Sequence, residues 1–272
     1  MIRFFSAVAF LLAAIGANAQ QTPEVHPLVI GEIRNLKSDA LQEERTLNIY
    51  LPPGYDTLSA CPVIYLLDGS MNEDFIHITG LVQFFNLTFN MPPAIVVGIA
   101  NIDRRRDFTF PTDNAGLKKD FPTTGHSAAF IRFLGEELLP FIDETYKTTD
   151  TRYIVGQSLG GLLATEVLLK QPSLFTHYLI VSPSLWWDDE SLLKKAKPLL
   201  ERWTSVPKFV YVSVGNDEEA IMKKDAAALV TLLRSKAGKN MRLEFSEMID
   251  ENHATILHNS IYKALQVLFP YK

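Results

Sequence analysis

The sequence predicts an α/β fold: one mostly parallel central sheet with helices on both faces, in a single domain. Apolar, β-branched runs alternate with helical patterns along most of the chain, and strands separated by helices pair in parallel. The runs PVIYLLDG (62–69) and AIVVGIAN (94–101) are apolar throughout, as suits strands covered on both faces. No internal repeat, low-complexity segment or linker divides the 272 residues, and 47% hydrophobic content is enough for one full core.

The elements follow in order. The stretch QQTPEVHPLVIGE (20–32) reads as loop and then apolar. In RTLNIYLPPGYD (45–56), Leu47, Ile49 and Leu51 alternate with outward residues, and Pro52-Pro53-Gly54 stops the strand. The two continuous runs come next. From Ala128 to Tyr146, Phe130, Phe133, Leu134, Leu138, Phe141 and Ile142 recur at helical spacing, with Pro140 placed to kink or divide the helix. Then come a strand at 151–156, a helix at 159–170, a strand at 176–182, a helix at 190–203, a strand at 208–215, a helix at 223–238, a strand at 241–249 and a last helix near 255–269.

The first residues stand apart. MIRFFSAVAFLLAAIGANAQ has an early arginine, an apolar run too short to span a bilayer comfortably, and Ala17-Asn18-Ala19, the small-x-small pattern of a cleaved secretory signal peptide. The expected division is a signal peptide at 1–19 and the domain at 20–272, exported to the periplasm or secreted, with no membrane span in the mature form. Removing Arg3 takes the formal charge from −5 to −6, which gives no reason to expect nucleic acid or an anionic membrane as partner. The one cysteine, Cys61, precludes an internal disulfide and reads as a small buried hydrophobe.

The sharpest motif is Gly156-Gln157-Ser158-Leu159-Gly160, followed by Gly161. It fits G-x-S-x-G, and its setting between an apolar strand and a helical run is the one a nucleophile elbow requires. The glycines let strand and helix approach while the serine stands at the corner. The Leu159 amide then faces the position where an oxyanion would form, with the helix dipole favouring negative charge there. A serine needs a base. Of six histidines, His253 alone follows both Ser158 and a strand while lying in a loop; His258 falls within the last helix. Asp217, Glu218 and Glu219 follow the strand at 208–215 and are each candidates for the acid that orients the imidazole. A second oxyanion donor is expected from the loop after the strand at 62–69, at the amide of Ser70 or Met71.

Together these residues resemble the putative esterase family that includes esterase D (S-formylglutathione hydrolase) and the enterochelin-esterase-like hydrolases, and are most like the latter branch. The resemblance runs from about Arg45 to the end and is carried by YLLDG, VVGIANIDRRRDFTFPT, FIRFLGEELLPFIDETY, IVGQSLGGLLA and VSPSLWW. It implies an α/β-hydrolase fold and ester hydrolysis with Ser158 as nucleophile and His253 as base. The family's Gly-x-x-Asp or Gly-x-x-Glu, counted from Gly215, puts the acid at Glu218, with Asp217 the alternative; some siderophore-cleaving relatives work with a Ser–His dyad. Leu-Asp-Gly replaces the His-Gly of esterase D members, against the formylglutathione branch. His126 stands where relatives often have a small residue, and either lines the pocket or caps the following helix.

Two further segments sit after strands. Arg104, Arg106 and Asp107 either form an Arg–Asp pair holding their loop, or present Arg106 to an anionic group of the substrate. Trp186 and Trp187 either stack on an aromatic acyl or catechol group or pack beneath the covering segment. The expected activity is two-step acyl transfer to water without metal or organic cofactor, on a siderophore lactone or a feruloyl or acetyl carbohydrate ester. The rivals are an acyl transferase on the same triad and a noncatalytic ligand-binding homologue. Composition leaves the oligomeric state open.

Overall fold

The apolar runs at 62–69 and 94–101 become strands whose successive side chains enter opposite cores, in a computed structural model that describes residues 24–57, 59–204, 207–236 and 241–271. The expected signal peptide, 1–19, lies outside the described residues. The strands are β1 (Glu32–Ser38), β2 (Glu43–Tyr50), β3 (Cys61–Leu66), β4 (Ile95–Ile99), β5 (Thr148–Gln157), β6 (His177–Val181), β7 (Phe209–Gly215) and β8 (Arg242–Met248). They form one sheet in the order β1-β2-β4-β3-β5-β6-β7-β8. Strand β2 pairs antiparallel with both β1 and β4, and all other pairs are parallel.

The helices are α1 (Phe75–Thr88), α2 (Arg104–Phe108), α3 (Ala115–Asp120), α4 (Ser127–Arg132), α5 (Leu139–Thr145), α6 (Leu159–Lys170), α7 (Trp187–Lys194), α8 (Ala196–Glu201), α9 (Ala220–Arg234) and α10 (Ile256–Leu268). One core lies between the sheet and the face that carries α4–α6 and α9; the other lies under α1 and α10. Period-two alternation divides each strand between them. Val63 and Tyr65 enter the first core and Ile64 and Leu66 the second; Val210 and Val212 part from Phe209 and Tyr211 in the same way. Cys61 is buried in the first core, as expected of a small hydrophobe.

The expected helix at 128–146 is divided, and the break precedes Pro140. A π-helical stretch, Phe133–Leu138, separates α4 from α5. Pro140 lacks an amide hydrogen and cannot continue the ladder behind it, so the widened turn absorbs the mismatch. The helix expected at 190–203 is likewise two, α7 and α8. Helix α7 opens with three consecutive left-handed residues, Asp188, Asp189 and Glu190 (φ 52°, 52° and 60°). Such conformations cost roughly 1–2 kcal/mol each in an L-residue. Contacts hold the turn: Thr112 donates to Asp188 across 2.7 Å, and Lys224 pairs with Glu190 across 2.5 Å.

Candidate active site

Strand β5 passes directly into α6 through Ser158, whose backbone has φ 60° and ψ −119°. A non-glycine residue there is strained by about 1–3 kcal/mol and must be held by its surroundings. Its amide donates to Val181, and its carbonyl accepts from Leu162 and Ser184, at 2.9 to 3.1 Å. The elbow also needs its glycines. A Cβ at Gly156 would lie 2.4 Å from the carbonyl oxygen of Gly160, and one at Gly161 would lie 2.9 Å from Pro183. Leu159 is the first residue of α6, where an amide has no partner within its helix.

The parallel order β5-β6-β7-β8 brings the other candidates to the same carboxyl edge. Glu218 lies between β7 and α9, and His253 between β8 and α10. Glu218 Oε2 meets His253 Nδ1 at 2.9 Å, with the carboxylate side chain 1% exposed and the imidazole 46% exposed. The other oxygen, Oε1, accepts from the Gly215 amide at 2.9 Å and from the Ser182 hydroxyl. Burial alone would raise the Glu218 pKa, but the bonds from His253, Ser182 and Gly215 bring it below the ordinary glutamate value. Ser158, Ser184, Trp186, Glu218 and His253 line one cavity of about 310 Å³. Ser158 Oγ lies 3.3 Å from Ser184 Oγ.

Ser158 and His253 also border a wider opening of about 410 Å³, together with Asp68, Glu73, Asp74 and Arg104. Arg104 grips Asp68 through two bonds of 2.6 and 3.0 Å, and Asn101 adds a third of 2.6 Å. Burial still pushes the Asp68 carboxyl up. Arg104 also donates to the carbonyl of Gln157, whose side chain donates to the carbonyl of His253. The loop after β3, the elbow and the histidine loop are therefore tied in series.

Four expectations need correction. Arg106 is turned away from the cavity, bonded to Asp107 at 2.7 Å and to Glu43 at 2.6 Å, while Asp107 also pairs with the fully buried Arg45. The loop-holding pair is the arrangement observed, and the arginine beside Ser158 is Arg104. Trp187 is fully buried, donates to the Phe110 carbonyl at 2.9 Å and stands edge-on to Phe121; Trp186 alone of the pair reaches the cavity. His126 is exposed at the start of α4, makes no side-chain cap, and is not among the residues bordering either opening. The Ser70 amide is occupied by Glu73 Oε2 at 3.1 Å, and the exposed Met71 faces a separate depression with Leu28 and Phe75.

Of the acids, Glu218 is the one in contact with His253; Glu219 lines the cavity, and the Asp217 amide bonds to Glu251. Sequence reasoning puts the segment 182–187 after a strand, at the rim of the site, but reads no role for its serines. They follow β6 directly, next to the elbow strand; Ser182 donates to Glu218, and Ser184 lies beside Ser158.

The family described as putative esterase matches residues 38–254. The chain is also 31% identical over 264 residues to the ferri-bacillibactin esterase BesA of Bacillus subtilis, covering 86% of this chain and 88% of that protein. The chain belongs to the putative esterase family. The esterase is a carboxylic ester hydrolase of α/β-hydrolase fold. Among solved structures it is similar to an IroE-like serine hydrolase from Shewanella oneidensis (TM-score 0.79, 29% identity, 88% of this chain and 80% of that one). It is also similar to the BES protein from Bacillus cereus (TM-score 0.78, 28% identity, 90% and 97%). Among the described residues no helix of the esterase is long and apolar enough to cross a membrane.

Proposed function

We propose that the esterase cleaves siderophore esters by a Ser158–His253–Glu218 acyl-enzyme mechanism. The observation that carries the mechanism is the Glu218–His253 contact in the cavity that also holds Ser158. Glu218 accepts from Nδ1–H and so leaves the His253 Nε2 lone pair free to take a proton. The Ser158 hydroxyl turns from Ser184 to His253, gives up its proton and attacks the ester carbonyl. The oxyanion forms against the Leu159 amide at the positive end of α6. His253 returns the proton to the departing alcohol, then deprotonates the water that releases the acid and regenerates Ser158.

Support for the substrate class is the identity to a siderophore esterase over most of both chains, together with Trp186 on the cavity wall, a flat surface suited to an aromatic acyl group. Export completes the reading, because the first nineteen residues have the pattern of a cleaved leader. Mass spectrometry of the periplasmic and culture fractions should find a chain beginning at Gln20.

The deciding experiment compares wild type and Ser158→Ala on p-nitrophenyl acetate, methyl ferulate and a tricatecholate trilactone. Turnover fastest on the trilactone and absent from the variant supports the proposal. Equal turnover in the variant removes Ser158 as nucleophile. A preference for methyl ferulate replaces the siderophore with a plant-type ester.

A further inference from the structure

Away from the cavity that holds Glu218, two histidines from different helices meet. His77 is in the first turn of α1 and His258 in the first turn of α10. Their Nδ1 atoms are 3.2 Å apart, with ring centroids 5.4 Å apart and ring planes at 39°. The other nitrogen of His77, Nε2, lies 3.0 Å from Asp74 Oδ1. Asp74 in turn borders the opening that Ser158 and His253 share.

We propose that His77 and His258 chelate a divalent cation of the zinc and copper class. Two imidazole nitrogens about 2.0–2.1 Å from one metal are about 2.9 Å apart at a right angle and about 3.3 Å apart at a tetrahedral one. The observed 3.2 Å falls between these values. Both nitrogens must offer lone pairs, and the carboxylate decides this for His77. An ionised Asp74 only accepts, so Nε2 carries the hydrogen and Nδ1 is left bare. A carboxylate on the far nitrogen is the usual outer support of a metal-bound histidine, fixing its tautomer and raising its basicity. Without a cation, His258 Nδ1–H donates to His77 Nδ1. With one, His258 adopts the Nε2–H tautomer, and no proton is lost overall.

The distance between the rings is set by the core rather than by flexible loops. Phe75 and Ile78 flank His77, Ile256, Leu257 and Ile261 flank His258, and all five are buried in the core under α1 and α10. His77 is 34% exposed and His258 is exposed, so water can complete the coordination shell. Among the described residues no cluster of three or more histidine, cysteine, aspartate or glutamate side chains is placed to hold a metal. The site therefore has two protein ligands, and the imidazole pair selects zinc, copper or nickel over magnesium or calcium. A bound cation would join α1 to α10 beside the histidine loop. The proposal is independent of the catalytic assignment.

The test uses the full chain without a polyhistidine tag, stripped of metal. Zinc chloride is titrated calorimetrically, and copper(II) is followed by electron paramagnetic resonance. The expected result is one equivalent bound, with hyperfine structure from two nitrogens. His77→Ala and His258→Ala should each weaken binding at least about 30-fold, and Asp74→Asn by about 10-fold. His26→Ala, at the exposed His26–Glu24 pair, should leave binding unchanged. His77→Gln and His258→Gln serve where an alanine variant misfolds, as judged by circular dichroism. No binding by the wild type, or full binding by either His77 or His258 variant, overturns the proposal.

Discussion

The side chain of Gln157 donates to the backbone carbonyl of His253, so the residue before the candidate nucleophile positions the loop that carries the candidate base. Its own carbonyl is held by Arg104, which is locked to Asp68. Removing the amide should misplace the imidazole with little harm to the fold. Gln157→Ala is expected to lower kcat/KM by about 10- to 100-fold, the scale of a catalytic group displaced by about 1 Å. Steady-state kinetics beside a thermal melt checks this; a drop in Tm that accounts for the lost activity would count against it.

The proposed mechanism gives Glu218 a function in catalysis, and its buried bonds give it one in stability. Glu218→Gln keeps the shape but lets the amide favour the wrong imidazole tautomer, and kcat should fall by about 100- to 10,000-fold; Asp217→Asn should change it less than about threefold. The folded carboxyl titrates below its ordinary value. Its stabilisation is thus complete above the unfolded glutamate pKa of about 4.3 and fades as pH falls through the lower folded value. Wild type should melt above Glu218→Gln at pH 7, and the gap should narrow as pH falls below the unfolded glutamate value.

The two tryptophans should separate cleanly. Trp187 is fully buried, and Trp187→Ala should destabilise by about 3–5 kcal/mol in denaturant unfolding. Trp186 is half-buried on the cavity wall, so Trp186→Ala should raise KM for aromatic esters several-fold and shift Tm little. Equal effects of the two variants on KM would contradict this division.

Asp107 and Arg45 form an ion pair with both side chains 0% exposed. Asp107→Ala leaves the arginine buried without that partner and should cost about 3–5 kcal/mol. Arg106→Ala removes a neighbour in the same network, so Tm should fall while KM for an anionic ester stays within about twofold of wild type. A large KM increase would restore Arg106 to the substrate site.

His177 stacks on Tyr153 with centroids 4.3 Å apart, and burial, aided by nearby Lys208, pushes its pKa down to about 4. An unfolded chain takes up this proton near the ordinary value of about 6.5, whereas the folded one resists it until about pH 4. Between those values stability falls as pH falls. His177→Gln should flatten that part of a Tm-against-pH curve, and an unchanged slope would show that the ring titrates freely.

What could be read from the chain was what local pattern controls. Continuous apolar runs announced β3, β4, β6 and β7, and the glycines around Ser158 announced the elbow. Strand β1 went unrecognised because EIRNLKS is an exposed edge whose apolar side chains Ile33 and Leu36 do not alternate. Helix α1 lacks a marked polar face, since Phe84 and Leu87 are exposed beside buried Phe85 and Leu81, so its periodicity was faint. Arg104 and Arg106 are two residues apart on one short helix and differ only in which acid each meets. That choice depends on Asp68 and Glu43, residues distant in sequence. The same holds for Trp186 and Trp187, neighbours of which one meets the cavity and the other Phe110 and Phe121.

The sheet order leaves β1 and β8 as its two borders. An open border normally invites a further strand and, in crowded solution, growth into ribbons. Here β1 carries Glu32, Arg34 and Lys37, and β8 carries Arg242, Glu244 and Glu247. A second copy laid along either border would have to strip water from these charged side chains. The arrangement that lines up the carboxyl ends of the strands for chemistry thus ends, on both flanks, in charged margins that oppose aggregation.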